Sequence, residues 1–113
     1  MTAMSKHAPT RGGVQTTGTA VTATDTLNRS LLGQRGCLVE VINGNASANT
    51  VTVSDASTTK TGALAQAVSR SIPAGQSYMF VVKPEMADPV TRVVTFTHSV
   101  TPTVTYKVFP LDL

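Results

Sequence analysis

The stretch that most limits the fold is segment 92–109, in which apolar and polar side chains alternate. Its regularly spaced apolar members are Val94, Phe96, Val100, Val104, Tyr106 and Val108. A period of two is typical of half-buried strands. Pro102 interrupts the alternation, and proline cannot donate to a strand ladder. The segment therefore predicts two antiparallel strands joined by a tight turn near Pro102.

Further strands are needed because a hairpin alone is only marginally stable in water. Alternating or β-branched segments predict them at Thr19–Ala23, Cys37–Ile42, Thr50–Ser54, Val68–Ile72 and Ser77–Val82. Residues 43–49 are rich in Asn, Gly and Ser, so we expect them to close a hairpin between the second and third of these strands. In that arrangement Val51 and Val53 join Val39 and Val41 in the core.

The segments between the strands carry weaker signals. Residues 25–36 are predicted to be a link, and residues 62–68 a loop with at most one helical turn. Pro73–Gln76 predicts a turn, because proline presets φ and glycine permits a tight reversal. Ser77–Val82 is apolar on both faces, which predicts a well-covered strand. Lys83–Val90 contains two prolines and is expected to cross irregularly between two sheets.

Together these segments predict an all-β fold, a single antiparallel β-sandwich or flattened barrel of about six to eight strands within residues 20–113. Residues 1–19 contain three glycines and few core-forming side chains, which predicts an extended N-terminal arm. Such an arm becomes ordered by adding a strand to a partner or lying in a groove on it. The candidate contact residues are Lys6, His7, Arg11 and Val14. The alternative is a disordered tail with no partner.

Charge distribution, aromatic content and the length of apolar runs argue against two classes of partner. The net charge is +3, but the Lys and Arg residues form no run, and aromatic residues are 4% of the chain with no Trp. Nucleic-acid sites cluster positive charge, often beside stacking aromatics, so we expect no nucleic-acid partner. No apolar run approaches the roughly 18 to 20 residues that span a bilayer. Residues 1–14 also lack a signal-peptide core, so we expect no membrane partner.

No combination of side chains predicts catalysis. Cys37 begins a core strand and is predicted to be a small buried hydrophobe, and His98 is predicted to be partly buried or at a sheet edge. Of six acidic residues, only Glu40 lies in a predicted strand, so no carboxylate pair is evident. Glu85 and Asp88 lack the dense spacing of calcium loops and are predicted to lie in a solvated loop. We therefore expect a non-enzymatic protein with no metal, cofactor or small-molecule substrate.

The order of these features resembles small β-sandwich virion proteins of tailed bacteriophages. The resemblance covers about residues 33–113. It rests on the strand 37–44 followed by Val51–Val53, the turn 72–76, and the predicted terminal hairpin from 93–97 to 104–106.

The resemblance implies a capsid decoration (cement) protein or minor head protein. Such a protein would bind the outside of the head, bridge subunits of the major capsid protein and contact copies of itself as a homo-oligomer. The implied location is the virion surface after assembly in the host cytoplasm, and a lone cysteine agrees with a reducing compartment. The alternatives are a head-to-tail or tail component, or a carbohydrate- or surface-binding module. Tyr78 and Tyr106 are the only tyrosines, which disfavours sugar stacking.

Overall fold

The computed structural model describes residues 2–7, 10–13, 18–57, 62 and 66–111. Within these residues the chain forms nine strands, one short helix and one 3₁₀ turn. The strands are β1 (Thr2–Ala3), β2 (Thr19–Ala20), β3 (Thr24–Asn28), β4 (Cys37–Asn43), β5 (Asn49–Val53), β6 (Val68–Ile72), β7 (Ser77–Val82), β8 (Val93–His98) and β9 (Val104–Pro110). The helix α1 is Arg29–Leu32, and the 3₁₀ turn is Pro84–Met86.

The strands form two sheets that pack face to face as an open sandwich, which confirms the predicted all-β fold and decides for the sandwich over the flattened barrel. Sheet A has the order β1-β3-β8-β5-β6, and sheet B has the order β2-β9-β4-β7. Neighbouring strands are antiparallel, except that β1 runs parallel to β3. Among the described residues, no helix is long and apolar enough to cross a membrane.

The core lies between the sheets and is built mainly from valine. Val39, Val41, Val51 and Val53 are buried together, as the alternation predicted. Phe96 is the largest fully buried side chain, and its ring meets that of Phe80 edge-on at a centroid distance of 6.3 Å. Each fully buried Val, Leu or Phe contributes about 1.5–3 kcal/mol through removal of apolar surface from water.

Both predicted hairpins are wrong, although their strands are present. β4 lies in sheet B and β5 in sheet A, while β8 lies in sheet A and β9 in sheet B. Among the described strands, β5 and β6 are the only consecutive pair that share a sheet. The connections therefore cross the sandwich. A crossing and a hairpin bury the same alternating side chains, so the sequence period does not distinguish them.

The β8–β9 and β4–β5 crossings are joined at one end of the sandwich. Thr103, after Pro102, takes a positive φ of 59°, and its carbonyl accepts from the Gly44 amide at 3.0 Å. Asn43 lies beside Gly44 and is fully buried. Its side chain donates to the carbonyls of Ser47 at 2.8 Å and Ile72 at 2.9 Å.

Two further predictions are corrected by the structure. Residues 25–36, predicted to be a link, contain most of β3 and all of α1, whose N-cap Asn28 accepts from the Ser30 amide at 2.9 Å. β7, predicted to be well covered, is an edge strand of sheet B with Met79 and Val81 more than half exposed.

Other predicted elements agree with the structure. β6 has the predicted bounds, and Pro73–Gln76 is a turn in which the Gln76 amide donates to the Pro73 carbonyl at 3.1 Å. Residues 83–90 cross from sheet B to sheet A through the 3₁₀ turn. Of the predicted loop over residues 62–68, residues 63–65 lie outside the described residues, and Val68 already belongs to β6.

Candidate functional site

The outward side of sheet B is the surface that departs most from an ordinary sandwich. Strand pairing aligns its outward side chains in three rows across β7, β4 and β9. The rows are Val81, Leu38 and Phe109; Met79, Glu40 and Lys107; and Ser77, Ile42 and Thr105. We call these nine residues the sheet B face.

Apolar side chains dominate the sheet B face. Met79 is 56% exposed and Val81 is 52% exposed, while Leu38, Ile42 and Phe109 are half-buried. The solvated side of an antiparallel sheet normally carries polar residues. On soluble proteins, a large contiguous patch of exposed apolar side chains marks a site of interaction with another protein or a membrane. The sheet B face is therefore the candidate binding surface.

The outward side of sheet A provides the contrast within the same molecule. Its outward positions are mostly hydroxyl-bearing, and one register row crosses four strands. That row is Thr24, Thr97, Thr52 and Ser69. We call this side the sheet A face. Because its hydroxyls suit contact with water, the apolar character of the sheet B face is not a general property of this chain's strands.

Two opposite charges lie at the centre of the sheet B face. Glu40 on β4 and Lys107 on β9 are register partners, an arrangement that favours strand pairing. The Ser77 hydroxyl donates to the Glu40 carboxylate at 3.4 Å. The face thus has one apolar row, a central row that carries both charges, and a third row that is mostly hydroxyl-bearing, so it suits a partner surface of mixed apolar and polar character.

Of the four residues predicted from sequence to contact a partner through the N-terminal arm, the three that the structure describes differ in their exposure. Lys6 and Arg11 are exposed, and Val14 lies outside the described residues. His7 is half-buried against β9: its amide donates to the Val108 carbonyl at 2.6 Å, and its Nδ1 accepts from the Val108 amide at 3.2 Å. The His7 ring also lies 6.3 Å from that of Phe109, centroid to centroid. The structure therefore brings His7 to the border of the sheet B face.

The start of the chain is held by the sandwich itself. Met4 is 4% exposed within the core, and the Ser5 amide donates to the Tyr106 hydroxyl at 3.1 Å. β1 pairs with β3 through Thr2 and Ala3. Residues 2–7 therefore need no partner chain to be positioned, and Lys6 is presented on a fixed backbone beside β9.

A buried polar cluster lies inside the sandwich, around His98 on β8. The His98 Nδ1 lies 3.1 Å from the side-chain Nδ2 of Asn49, and the His98 Nε2 lies 3.9 Å from the Asp25 carboxylate. Burial lowers the pKa of His98 below its ordinary value, while the nearby Asp25 carboxylate acts in the opposite direction. Asp25 itself accepts from the backbone and hydroxyl of Thr22.

The sequence prediction missed this cluster because Asp25 was assigned to a link rather than a strand. The signal was the alternation from Thr24 to Asn28, in which Leu27 is inward and Asp25 therefore shares its side. No buried side-chain donor or acceptor among the described residues lacks a partner. His98 is 5% exposed and Asp25 is 1% exposed, so the cluster lies inside the sandwich, where its contacts link β3, β5 and β8.

Cys37, Asp55 and Asp88 each have a hydrogen-bond partner within the protein. Cys37 is fully buried, and its thiol lies 3.2 Å from the Leu31 carbonyl. Asp55 and Asp88 line an open groove of about 640 Å³, but each carboxylate already accepts from its own loop. The backbone amides of Thr91 and Val90 lower the pKa of Asp88. Among the described residues, no group of three or more His, Cys, Asp or Glu residues is arranged to hold a metal.

Comparison with known proteins gives no independent guide to function. No protein-family model matches the chain, and no curated protein or solved structure matches it significantly.

Proposed function

We propose that this protein is a non-enzymatic structural component of a virion, a capsid decoration protein of a tailed bacteriophage. In this proposal it binds the outside of the head and bridges neighbouring subunits of the major capsid protein. The observation that supports it is the sheet B face, where the apolar side chains of Met79, Val81 and Phe109 lie on the outward side of a sandwich. A surface of this kind is stabilised when a partner covers it.

The two faces assign an orientation to the proposed complex. The sheet B face would lie on the shell, and the sheet A face, with its rows of threonine and serine hydroxyls, would face the solvent. Lys6 and Arg11, both exposed, would add positive charge toward an acidic capsid surface. The scaffold agrees with this role, because a decoration protein must present the same rigid surface at many equivalent sites.

The test is co-sedimentation of purified protein with undecorated phage capsids. Ile42→Lys places a charge on the sheet B face, at a half-buried position on the inner strand β4. Thr52→Lys is the matched control, because Thr52 is also a half-buried β-branched residue facing outward from an inner strand, on the sheet A face. We expect Ile42→Lys to weaken binding by about tenfold or more, a cost of about 1.4 kcal/mol. Thr52→Lys should bind like the wild type.

Charge reversal tests the arm separately. The double variant Lys6→Glu, Arg11→Glu should bind more weakly than the wild type at low salt and similarly at high salt, since screening removes the contribution of exposed charges. A folded wild-type protein that shows no saturable binding to capsids would overturn the proposal. Binding to isolated tails or to a glycan array would then identify a tail component or a carbohydrate-binding module instead.

A further inference from the structure

β7 is an unusual edge strand. It is six residues long and uncharged, with the sequence Ser-Tyr-Met-Phe-Val-Val, and within the described residues it pairs with β4 alone. Proteins normally protect sheet edges with short strands, charged side chains or proline. The other sheet edges follow this rule, because β1 and β2 are two residues long and β6 carries Arg70 at its centre. β7 has none of these protections.

Every second residue of β7 has backbone N–H and C=O groups that point away from β4, toward the open edge. The Asn43 amide donates to the Gln76 carbonyl at 2.9 Å, which makes this a hydrogen-bonded pair at the start of the β4–β7 ladder. Bonded and non-bonded pairs alternate along an antiparallel ladder. The β7 residues whose N–H and C=O groups therefore point away from β4 are Ser77, Met79 and Val81.

Lys83 is the next residue in this alternating series, and its backbone groups already have hydrogen-bond partners. The Lys83 amide donates to the Met86 sulfur at 3.3 Å, and the Lys83 carbonyl accepts from the Met86 amide at 3.1 Å. The outward hydrogen-bonding groups of the edge are thus those of Ser77, Met79 and Val81, which are symmetric about Met79. An edge that is symmetric about one residue is complementary to its own copy rotated by a two-fold axis.

We propose that two copies of this chain pair through β7, antiparallel about a two-fold axis at Met79, to form one continuous eight-stranded sheet. Met79 would oppose Met79 of the second copy, and Ser77 would oppose its Val81. These three hydrogen-bonded pairs satisfy the outward groups of both edges. The strand carries no charge, so no like charges are brought together across the two strands.

The side chains agree with this register. Tyr78 is 40% exposed beside Phe80, and the two rings lie 6.5 Å apart, centroid to centroid. They line a groove of about 280 Å³ together with Val68 and Arg70. In the paired form Tyr78 of one copy would lie across from Phe80 of the other, which places four aromatic rings at the mouth of this groove. Aromatic pairs across non-bonded positions are favourable in antiparallel sheets.

This inference does not rest on capsid binding, because it concerns only copies of the chain. It is tested first by sedimentation analysis of the wild type across a concentration series. We expect a monomer–dimer equilibrium, and a wild type that stays monomeric throughout would overturn the proposal.

Disulfide trapping tests the register without disturbing the fold. Residues facing each other in a hydrogen-bonded pair have Cα atoms about 5.5 Å apart, within the range that a disulfide bridges. Met79→Cys should therefore crosslink into a dimer with oxidised glutathione. Val81→Cys is the matched control, since it is equally exposed but lies several residues from its own copy in this register. Cys37 gives no background because it is fully buried. Equal crosslinking of the two variants, or none by Met79→Cys, would overturn the register.

Proline substitution tests the hydrogen bonds. The N–H of Met79 points away from β4, so Met79→Pro removes no bond from the β4–β7 ladder, and proline is tolerated at such edge positions. Met79→Thr is the control that keeps the N–H. We expect Met79→Pro to abolish the dimer while retaining the circular dichroism spectrum of the wild type, and Met79→Thr to weaken the dimer less. A Met79→Pro protein that is folded and still dimeric would contradict the inference.

Discussion

Asn43 is the residue whose removal should reveal how the crossing connections are held. It ends β4, is fully buried, and makes three side-chain hydrogen bonds. Its amide nitrogen donates to the carbonyls of Ser47 and Ile72, and its Oδ1 accepts from the Asn45 amide at 3.0 Å. These bonds join the β4–β5 connection to the end of β6, which lies in the opposite sheet.

Asn43→Ala removes all three bonds from a site that water does not reach. At about 1 kcal/mol of net stability for each hydrogen bond, the expected loss in the free energy of unfolding is about 3 kcal/mol. For a domain of this size that corresponds to a fall in Tm of about 12 °C, at about 4 °C per kcal/mol. The assay is urea unfolding followed by circular dichroism, in which the midpoint should fall while the slope m stays unchanged.

Asn45→Ala is the matched control. Asn45 lies in the same connection and also makes two side-chain hydrogen bonds, to the Pro102 carbonyl at 3.0 Å and from the Ser47 amide at 2.9 Å. It is only half-buried, so water replaces much of what is lost, and the expected cost is below about 1 kcal/mol. A free energy of unfolding for Asn43→Ala within about 0.5 kcal/mol of the wild-type value would refute this role of Asn43, and so would equal losses in the two variants.

Two further predictions concern His98 and the glycines. Burial lowers the pKa of His98 in the folded protein, and the Asp25 carboxylate opposes this shift only in part. The unfolded chain therefore binds a proton at His98 more readily than the folded protein does. The free energy of unfolding should fall as the pH drops through the ordinary histidine pKa toward the lowered folded value. Urea unfolding should give a lower free energy of unfolding at about pH 5.5 than at about pH 7.5, and His98→Gln should reduce this difference. An equal difference between the two pH values in the variant and the wild type would contradict the assignment to His98. Gly36 (φ +90°) and Gly75 (φ +76°) both have left-handed backbones, but only at Gly36 would a Cβ collide with the Val82 carbonyl. Thermal unfolding should therefore show a loss of about 1–2 kcal/mol for Gly75→Ala and a larger loss for Gly36→Ala, and equal losses would show that the collision is relieved at little cost.

The sequence located the strands better than it located their neighbours. Alternation gave β6 its bounds and identified Val39, Val41, Val51 and Val53 as core, because side chains on a strand point to opposite sides whatever the strand pairs with. It failed at β3, where Asp25 occupies an inward position and broke the expected apolar pattern. That carboxylate is tolerated because Thr22, from the preceding turn, donates to it and His98 lies close by.

The candidate site was the least predictable part of the molecule. β7 is apolar on both faces, and this pattern normally indicates a strand covered on both sides. Its position at the edge of sheet B leaves Met79 and Val81 exposed instead. Among the candidate arm residues, the contact of His7 with β9 depends on partners about a hundred positions away in the chain, which no local pattern encodes.

The sequence by itself determined that this chain is all-β, because the period of two and the spacing of turn residues act locally through backbone geometry, whereas a sandwich and a flattened barrel share that period. Only the tertiary structure decided which sheet each strand joins, which strand lies at an edge, and hence which apolar side chains face outward. A hairpin and a crossing bury the same alternating residues, so the choice between them depends on how the whole chain packs. The hydrogen bond from Asn43 to Ile72 and the close approach of Gly44 to Thr103 belong to that packing, since each joins segments that are distant in sequence.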